Sequence, residues 1–306
     1  GHGTAAAIGA AFDGLGWEDA FSLAMTTATV GIICAIIGGL IMIKWAARHK
    51  QTSFISDFDD LPDELRSGLL PESKRESIGT ATTSSISIDS LTFHSALVFV
   101  IALLGYAASQ WVKIHYPMLE LPVFSCAFVI GLLLKQVFDL TRVSTYICPV
   151  TTQRLSSSFT DLLVAFGVAS IKLGIVVKYA VPLIVLIVGG VIIVWSITFY
   201  LGRRLAKTYW FERTIFAWGW WTGTMAMGIA LLRIVDPKLA SKAMDDYALA
   251  YLPIAPVEIL LITFVPILFV NGFGVWLSLA CVGVSLLILL FARKMGWWNK
   301  KAVASK

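Results

Sequence analysis

Charge is scarce in this sequence. Asp, Glu, Lys and Arg make up 14% of its 306 residues, and hydrophobic residues make up 58%. A soluble globular domain has about 25% charged and about 45–50% apolar residues. Because so few charges cannot cover a chain with a water-compatible surface, the composition excludes an ordinary soluble domain. It predicts an all-α polytopic membrane protein in contact with the lipid bilayer, with its 11 tryptophans as interface anchors.

Residues that build metal centres and catalytic nucleophiles are also few. The four cysteines and four histidines are scattered without metal-ligand spacing, and we interpret the cysteines as packing residues. No HExxH, GxSxG or paired-aspartate motif lies in an apolar run. The sequence therefore predicts that the protein is not an enzyme and that it carries no cofactor.

Seven apolar runs are long enough to cross the hydrocarbon core, which takes roughly 20 mostly apolar residues per helix. They cover residues 22–43, 92–112, 121–138, 157–177, 179–202, 247–270 and 273–293. An eighth uncharged run, 214–232, contains Gly219, Gly223 and Gly228 with threonines between them. Irregular backbone at membrane depth is tolerated only where it is buried in protein or lines a cavity. We therefore predict a re-entrant loop over 212–232 rather than a simple span.

Basic residues set the predicted orientation, because short basic loops stay in the cytoplasm. The connection 202–213 carries four Lys or Arg residues against one Glu. If successive helices cross the membrane in alternating directions from this connection, the other basic segments are also cytoplasmic, namely 44–91, 139–156 and the C-terminal tail. This holds only if the re-entrant loop returns to the cytoplasmic side. It puts 113–120 and 271–274 outside. The net charge of +5 then reflects cytoplasmic loops, and no nucleic-acid partner is predicted.

Residues 46–91 separate two apolar halves. This segment is acidic at first, then rich in Ser and Thr, with prolines and no apolar periodicity. Because it is too polar to bury a core, we expect a mobile cytoplasmic linker with one short surface helix at most.

Two Gly/Thr stretches each precede a spanning helix. GHGTAAAIG (1–9) is reached from outside on the predicted topology, and GWWTGTMAMG (219–228) is reached from inside. Two such stretches with opposite access are typical of an inverted repeat in a secondary transporter, where half-helix N-termini point at anionic substrate groups. Close helix packing through small residues is the alternative interpretation of either stretch by itself.

At these stretches the chain resembles the bacterial sodium/glutamate symporter family. The opening, residues 1–39, is similar to the family's first re-entrant loop, in which a Gly-Gly-His-Gly-Thr motif leads into a helix that closes on Gly-Gly. Three later stretches resemble the second half of the family in order and spacing: ELPVFSCAFVIGLLL (120–134), SSFTDLLVAFGVASIKLG (157–174) and AWGWWTGTMAMGIALLRIVDP (217–237). The similarity extends from Gly1 to about residue 272.

The resemblance implies two inverted domains, each with a re-entrant loop, that couple sodium entry to glutamate uptake. It places Gly1 inside the first loop, so we expect an N-terminally truncated chain that lacks most of the first repeat. Residues 1–45 would be the remainder of that repeat, 92–272 the second repeat, and 273–306 an additional helix with a basic cytoplasmic tail. Trp220 and Trp221 depart from the pattern, since the family has small residues there, and we expect their rings to reshape the pocket.

The candidate site residues follow from the two loops and from intramembrane polar groups. The predicted substrate-binding residues are Gly1, His2, Gly3, Thr4, Thr222, Gly223, Thr224 and Arg233, and the predicted ion-binding residues are Thr26, Thr29 and Glu258. Glu258 lies mid-span, where a carboxylate is costly and is a functional candidate by default; a salt bridge within the bundle is its structural alternative. His2 could donate to a substrate carboxylate or cap a backbone carbonyl. Arg233 could clamp a carboxylate, pair with Asp236, or extend to the interface.

The sequence thus predicts sodium-coupled secondary transport of glutamate or a similar anionic amino acid by alternating access, in a multi-pass protein of the bacterial inner membrane. Sodium and the small anionic substrate are its predicted ligands, and a homodimer is the one protein partner considered. Three alternatives are left open: a sodium- or proton-coupled symporter for another small carboxylate, a channel, and a non-functional remnant.

Overall fold

A computed structural model describes residues 1–54, 67, 69–75, 77–84, 86–116 and 121–298. Most of these residues are helical. The helices in chain order are α1 (His2–Gly14), α2 (Ala20–Arg48), α3 (Ser90–His115), α4 (Val123–Leu140), α5 (Pro149–Ala169), α6 (Leu173–Lys178), α7 (Ala180–Leu205), α8 (Trp210–Thr222), α9 (Met225–Val235), α10 (Ala243–Val270) and α11 (Gly274–Lys294). Short 3₁₀ turns lie at Glu72–Lys74 and Val143–Tyr146.

Six helices are long and apolar enough to cross a membrane, namely α2, α3, α4, α7, α10 and α11. They correspond to six of the seven predicted spans, with ends that differ by a few residues. α2 exceeds its predicted span by the most residues, because it continues past the predicted end at Ile43 to Arg48. The prediction of an all-helical polytopic membrane protein is confirmed.

The remaining predicted span, 157–177, is divided in the structure. α5 begins earlier, at Pro149, and ends at Ala169, and the short α6 begins at Leu173. At the junction the Ser170 hydroxyl donates to the Gly167 carbonyl (2.8 Å), and Lys172 has an extended backbone. A serine that bonds a preceding carbonyl in this way offers the backbone an alternative to the helix.

The second Gly/Thr stretch contains the turn of a helical hairpin, and the re-entrant loop over 212–232 stays a prediction. α8 ends at Thr222, α9 begins at Met225, and the two helices pack against each other. Their backbones touch where Gly219 faces Gly228, since a Cβ at Gly219 would lie 2.8 Å from the Gly228 Cα. Only glycine allows helices to approach so closely. α1 and α2 form a second hairpin, in which Gly9 lies against Phe21.

The buried core lies where α2, α8 and α9 meet. Its fully buried members include Ile43 on α2, Phe211 and Ile215 on α8, and Leu232 and Val235 on α9. These residues come from the end of α2, the beginning of α8 and the end of α9. The core therefore holds the base of the α8–α9 hairpin and leaves its tip free for the site.

The other long helices expose apolar side chains over much of their surface. Leu103 on α3, Leu133 on α4, Val185 on α7 and Leu287 on α11 are each more than half exposed. Such apolar surfaces are unfavourable in water, whereas the hydrocarbon core of a membrane is as apolar as they are. These helices are thus suited to contact lipid.

The linker and the tail are described only in part. The acidic stretch 55–66 and the tail 299–306 lie outside the described residues, as does Glu120. Two described pieces of the predicted mobile linker contact the helices. The Ser53 amide donates to Glu212 (2.7 Å), and the Thr80 amide donates to the Cys148 sulfur (3.4 Å).

The predicted outer ends of two helices lie together. Lys178, at the end of α6, forms an ion pair with Asp19, which precedes α2 (2.8 Å). The hydrogen bond from Lys178 lowers the Asp19 pKa, and the same bond raises the Lys178 pKa. This pair connects the α1–α2 hairpin to the second half of the chain on the side that the charge pattern assigns to the exterior.

Candidate transport site at the start of α1 and the α8–α9 turn

The first predicted site stretch forms the start of α1. His2, Gly3 and Thr4 are the first three residues of α1 in this chain. Their assignment as substrate-binding residues stays a prediction.

His2 points into the protein rather than into open space. It is 2% exposed, and its Nε2 lies 3.1 Å from the Thr29 hydroxyl on α2. That hydroxyl already donates to the Met25 carbonyl (2.8 Å), so His2 Nε2–H is the donor in their contact. His2 Nδ1 then carries a lone pair, and it is buried without a hydrogen-bond partner among the described residues.

The second predicted stretch forms the tip of the α8–α9 hairpin. The Thr222 hydroxyl donates to the Trp218 carbonyl (2.6 Å) and so stays within α8. Gly223 ends α8, and Thr224 has an extended backbone and caps α9, its hydroxyl accepting from the Met227 amide (3.3 Å). Thr224 thus starts a helix whose first amides face outward from the helix end.

We call Gly1, at the start of α1, the first tip, and the α8–α9 turn at Gly223 and Thr224 the second tip. A Cβ at Gly1 would lie 3.0 Å from Thr224 Cγ2 and 3.5 Å from the Gly223 carbonyl oxygen. α2 holds the second tip from behind, because Gly31 contacts the Thr222 carbonyl and Ala35 contacts Gly223. The fold thus brings the two tips together, although Gly1 and Thr224 are 223 positions apart in the sequence.

A cavity of about 910 Å³ adjoins the first tip. Gly3 and Thr4 line it from α1, and Tyr251 and Glu258 line it from α10. The Tyr251 hydroxyl donates to Glu258 Oε2 (2.7 Å), which orients this carboxylate. Lys113 of α3 also lines the cavity.

The predicted ion-binding residues lie on two sides of α1. Thr26 and Thr29 are half-buried on α2, where Thr26 donates to the Ser22 carbonyl (2.7 Å) and Thr29 meets His2. Both hydroxyl protons are used within α2, so each oxygen retains a lone pair for a cation or another donor. Glu258 is on the cavity side instead.

Arg233 lies apart from this group. It is exposed near the far end of α9, roughly 13 Å along the helix from Thr224 at 1.5 Å per residue. Asp236, its predicted structural partner, is fully buried and accepts from the Ala240 and Ser241 amides (2.9 and 2.7 Å). The structure places neither Arg233 nor Asp236 at the two tips.

The two tryptophans that depart from the family pattern do not line the cavity. Trp220 packs edge-on against Tyr247 and Tyr251, with ring centroids 4.5 and 5.8 Å apart, and Trp221 is 48% exposed. Trp220 thus supports Tyr251 from behind rather than filling the pocket.

Tyr251 is the cavity residue that sequence reasoning missed. It precedes Glu258 by seven residues, which places both on one face of α10 two turns apart. That spacing was a usable signal, because a mid-span carboxylate needs a donor on its own face. The buried Glu212, described below, gave no such signal, since it stands among basic residues at a predicted loop end.

Long apolar helices and an interrupted helical hairpin assign this chain to the polytopic membrane proteins. Residues 1–224 match a family model described as sodium/glutamate symporter, which is more than two thirds of the chain. The chain belongs to the sodium/glutamate symporter family. The match ends at Thr224, so the resemblance predicted beyond it, to about residue 272, is not part of the matched region. No curated protein and no solved structure matches the chain.

Membership supports sodium/glutamate symport in general and a transporter rather than an enzyme. Sodium is the coupling ion that this family implies.

Proposed function

We propose that this chain carries out sodium-coupled secondary active transport of glutamate or a similar anionic amino acid by alternating access. The observation that carries the proposal is the contact of Gly1, at the start of α1, with Gly223 and Thr224 at the turn of the α8–α9 hairpin. The protein acts as a multi-pass component of a bacterial cytoplasmic membrane, and its homodimer stays a prediction.

Substrate carboxylates bind where the start of α1 meets the N-terminus of α9. Amides at the start of α9 donate to an anion, and the dipole of α9 favours its negative charge. Gly1 and Gly3 let the anion approach the backbone, whereas Thr4 and Thr224 add hydroxyl groups. Arg233 stays a predicted carboxylate ligand, one that would have to act from the far end of α9.

Sodium binds through hydroxyl and carboxylate oxygens. Thr26 and Thr29 have lone pairs that their internal hydrogen bonds leave available. Glu258 supplies a full negative charge at mid-span, oriented by Tyr251. Binding of a cation offsets the cost of this charge in a membrane.

Alternating access follows from the opposite predicted access of the two Gly/Thr stretches, because 1–9 is reached from outside and 219–228 from inside. The α1–α2 loop is on the predicted outer side, where Asp19 bonds Lys178, and the base of the α8–α9 hairpin is on the predicted inner side. Movement of one repeat against the other opens the tips to one side at a time.

The test is glutamate uptake into liposomes that contain the intact protein, with and without an inward sodium gradient. Thr4→Ala and Thr224→Ala should each reduce sodium-driven uptake at least tenfold, the equivalent of about 1.4 kcal/mol for a lost hydrogen bond to a charged group. Thr160→Ala is the matched control, since Thr160 is exposed on α5 and donates within its own helix (2.8 Å).

The outcomes separate the alternatives. Sodium-driven uptake of a different carboxylate, with none of glutamate, would retain the mechanism and reassign the substrate. Solute flux far above a carrier's turnover would indicate a channel. The absence of any sodium-dependent uptake would refute the proposal.

A further inference from the structure

The base of the α8–α9 hairpin holds two buried carboxyl groups that the transport site does not use. Glu212 lies in the first turn of α8, Asp236 directly follows α9, and both are 0% exposed. The two groups are close enough to interact electrostatically. Burying two like charges side by side is costly unless a cation or a proton compensates one of them.

No cation pairs with either group among the described ion pairs. The arginines nearby have other partners: Arg203 of α7 lies over the rings of Trp45, Phe199 and Trp210, and Arg213 of α8 pairs with Asp246 of α10 (2.7 Å). On α9 Arg233 is exposed, and on α2 Lys44 and Arg48 are exposed as well. Among the described residues, therefore, no side chain compensates the two carboxyl groups, which leaves a proton or a bound ion for that role.

The hydrogen bonds distinguish the two carboxyl groups. Asp236 accepts one backbone amide on each oxygen, from Ala240 and Ser241 (2.9 and 2.7 Å), an arrangement that stabilises a carboxylate. Glu212 Oε1 accepts from the Ser53 amide (2.7 Å). Its Oε2 is buried and has no hydrogen-bond partner among the described residues. A neutral acid at Glu212 removes one of the two buried charges and keeps Oε1 as the acceptor for the Ser53 amide.

We propose that Glu212 is a proton-binding site, with the proton on Oε2, and that loss of this proton releases the start of the linker, residues 51–54, from the hairpin base. Ser53 is exposed and covers Glu212 through its amide, and Phe54 packs on Tyr209 with ring centroids 5.0 Å apart. An ionised Glu212 beside Asp236 gains hydration only when this cover lifts. The site lies on the predicted cytoplasmic side and thereby makes the linker responsive to internal pH.

The first measurement is hydrogen exchange of the Ser53 amide in the intact protein in liposomes, corrected for the intrinsic pH dependence of exchange. If opening is coupled to loss of one proton, protection should be constant at low pH and then fall tenfold per pH unit. Glu212→Gln keeps the shape and the Oε1 acceptor without the charge, so its protection should stay constant. Glu72→Gln, at an exposed position, is the control and should behave like the wild type.

Asp236→Asn provides a second variant, because it removes the neighbouring charge and leaves Glu212 in place. Protection at Ser53 should then begin to fall at a lower pH than in the wild type, since the nearby anion no longer favours the neutral acid. The opposite shift would contradict the proposal.

Infrared spectroscopy tests the proton directly. The carbonyl-stretch band of a protonated carboxylic acid should be present in the wild type at neutral pH and absent from Glu212→Gln. The proposal fails if this band is missing from the wild type, or if Glu212→Gln loses protection at every pH. It also fails if protection follows sodium at constant pH, with choline as the comparison cation, because the pair would then bind a metal ion.

Discussion

Gly31→Ala should impair transport through a contact that lies outside the substrate pocket. A Cβ at Gly31 would overlap the carbonyl oxygen of Thr222, which is the last residue before the hairpin tip. An ordinary carbon–oxygen contact is about 3.3–3.6 Å, so the tip must move away from α2 by roughly 1 Å. Gly223 and Thr224 would move with it and separate from Gly1.

The magnitude follows from the rigidity of the contact. The obstacle is backbone on both sides, so no side chain can rotate away, and overpacking of this kind costs about 1–3 kcal/mol. A displacement of 1 Å at a positioned site costs up to about 100-fold in rate. We expect sodium-driven uptake to fall by about 10- to 100-fold and thermal stability to fall by a few degrees.

The assay is sodium-driven glutamate uptake, with the unfolding temperature measured on the same preparation. Gly190→Ala is the matched control, because a Cβ there meets nothing within 4 Å and the residue also lies inside a long helix, α7. Wild-type uptake and stability in Gly31→Ala would refute the geometry. A lower stability with unchanged uptake would show that the contact supports the fold but does not position the tip.

Three further predictions concern Glu258, Cys148 and the Asp19–Lys178 pair. Glu258→Gln should raise the sodium concentration needed for half-maximal uptake at least tenfold, whereas a purely structural carboxylate would change stability alone. The Cys148 thiol has a pKa of about 6, because the Thr151 side chain and backbone amides donate hydrogen bonds to its sulfur. Thr151→Val should therefore raise the pH at which Cys148 reacts with iodoacetamide. An unchanged pH profile of this reaction would contradict the assignment. Asp19→Asn should lower the unfolding temperature at neutral pH and lose this effect in acid. The pKa of Asp19 is lower in the folded protein than its unfolded value of 3.8, so the ionised group stabilises the fold above pH 3.8, and this stabilisation disappears as the pH falls through the folded pKa. The raised Lys178 pKa keeps the pair intact up to alkaline pH, and an effect of Asp19→Asn that persists in acid would exclude the ion pair as its cause.

The sequence determined the class of this protein. Apolar runs of spanning length predict helices without tertiary information, because in hydrocarbon every backbone group must be bonded within its own helix. The glycines and threonines at 219–228 indicated irregular backbone in this run, and the structure has a helix break there, at Gly223 and Thr224. The GHGT stretch at the start of the chain, by its resemblance, indicated the family that the comparison identifies.

Pattern reasoning failed where a local hydrogen bond competes with an apolar run. The stretch 157–177 is apolar enough in its second half to predict one helix, yet Ser170 bonds the Gly167 carbonyl and the chain leaves the helix before Leu173. The mean hydropathy of a long window changes little with one serine, so it does not predict this break.

Only the tertiary structure decided which distant residues meet. The contact of Gly1 with Thr224 and the seat of the second tip on Gly31 depend on how α2 packs against the α8–α9 hairpin. The structure likewise turned Trp220 away from the cavity, paired Tyr251 with Glu258, and buried Glu212 beside Asp236 under Ser53. The physical reason is the range of each interaction: helix formation is set by neighbours within one or two turns, whereas burial and electrostatic pairing depend on residues that only packing brings together.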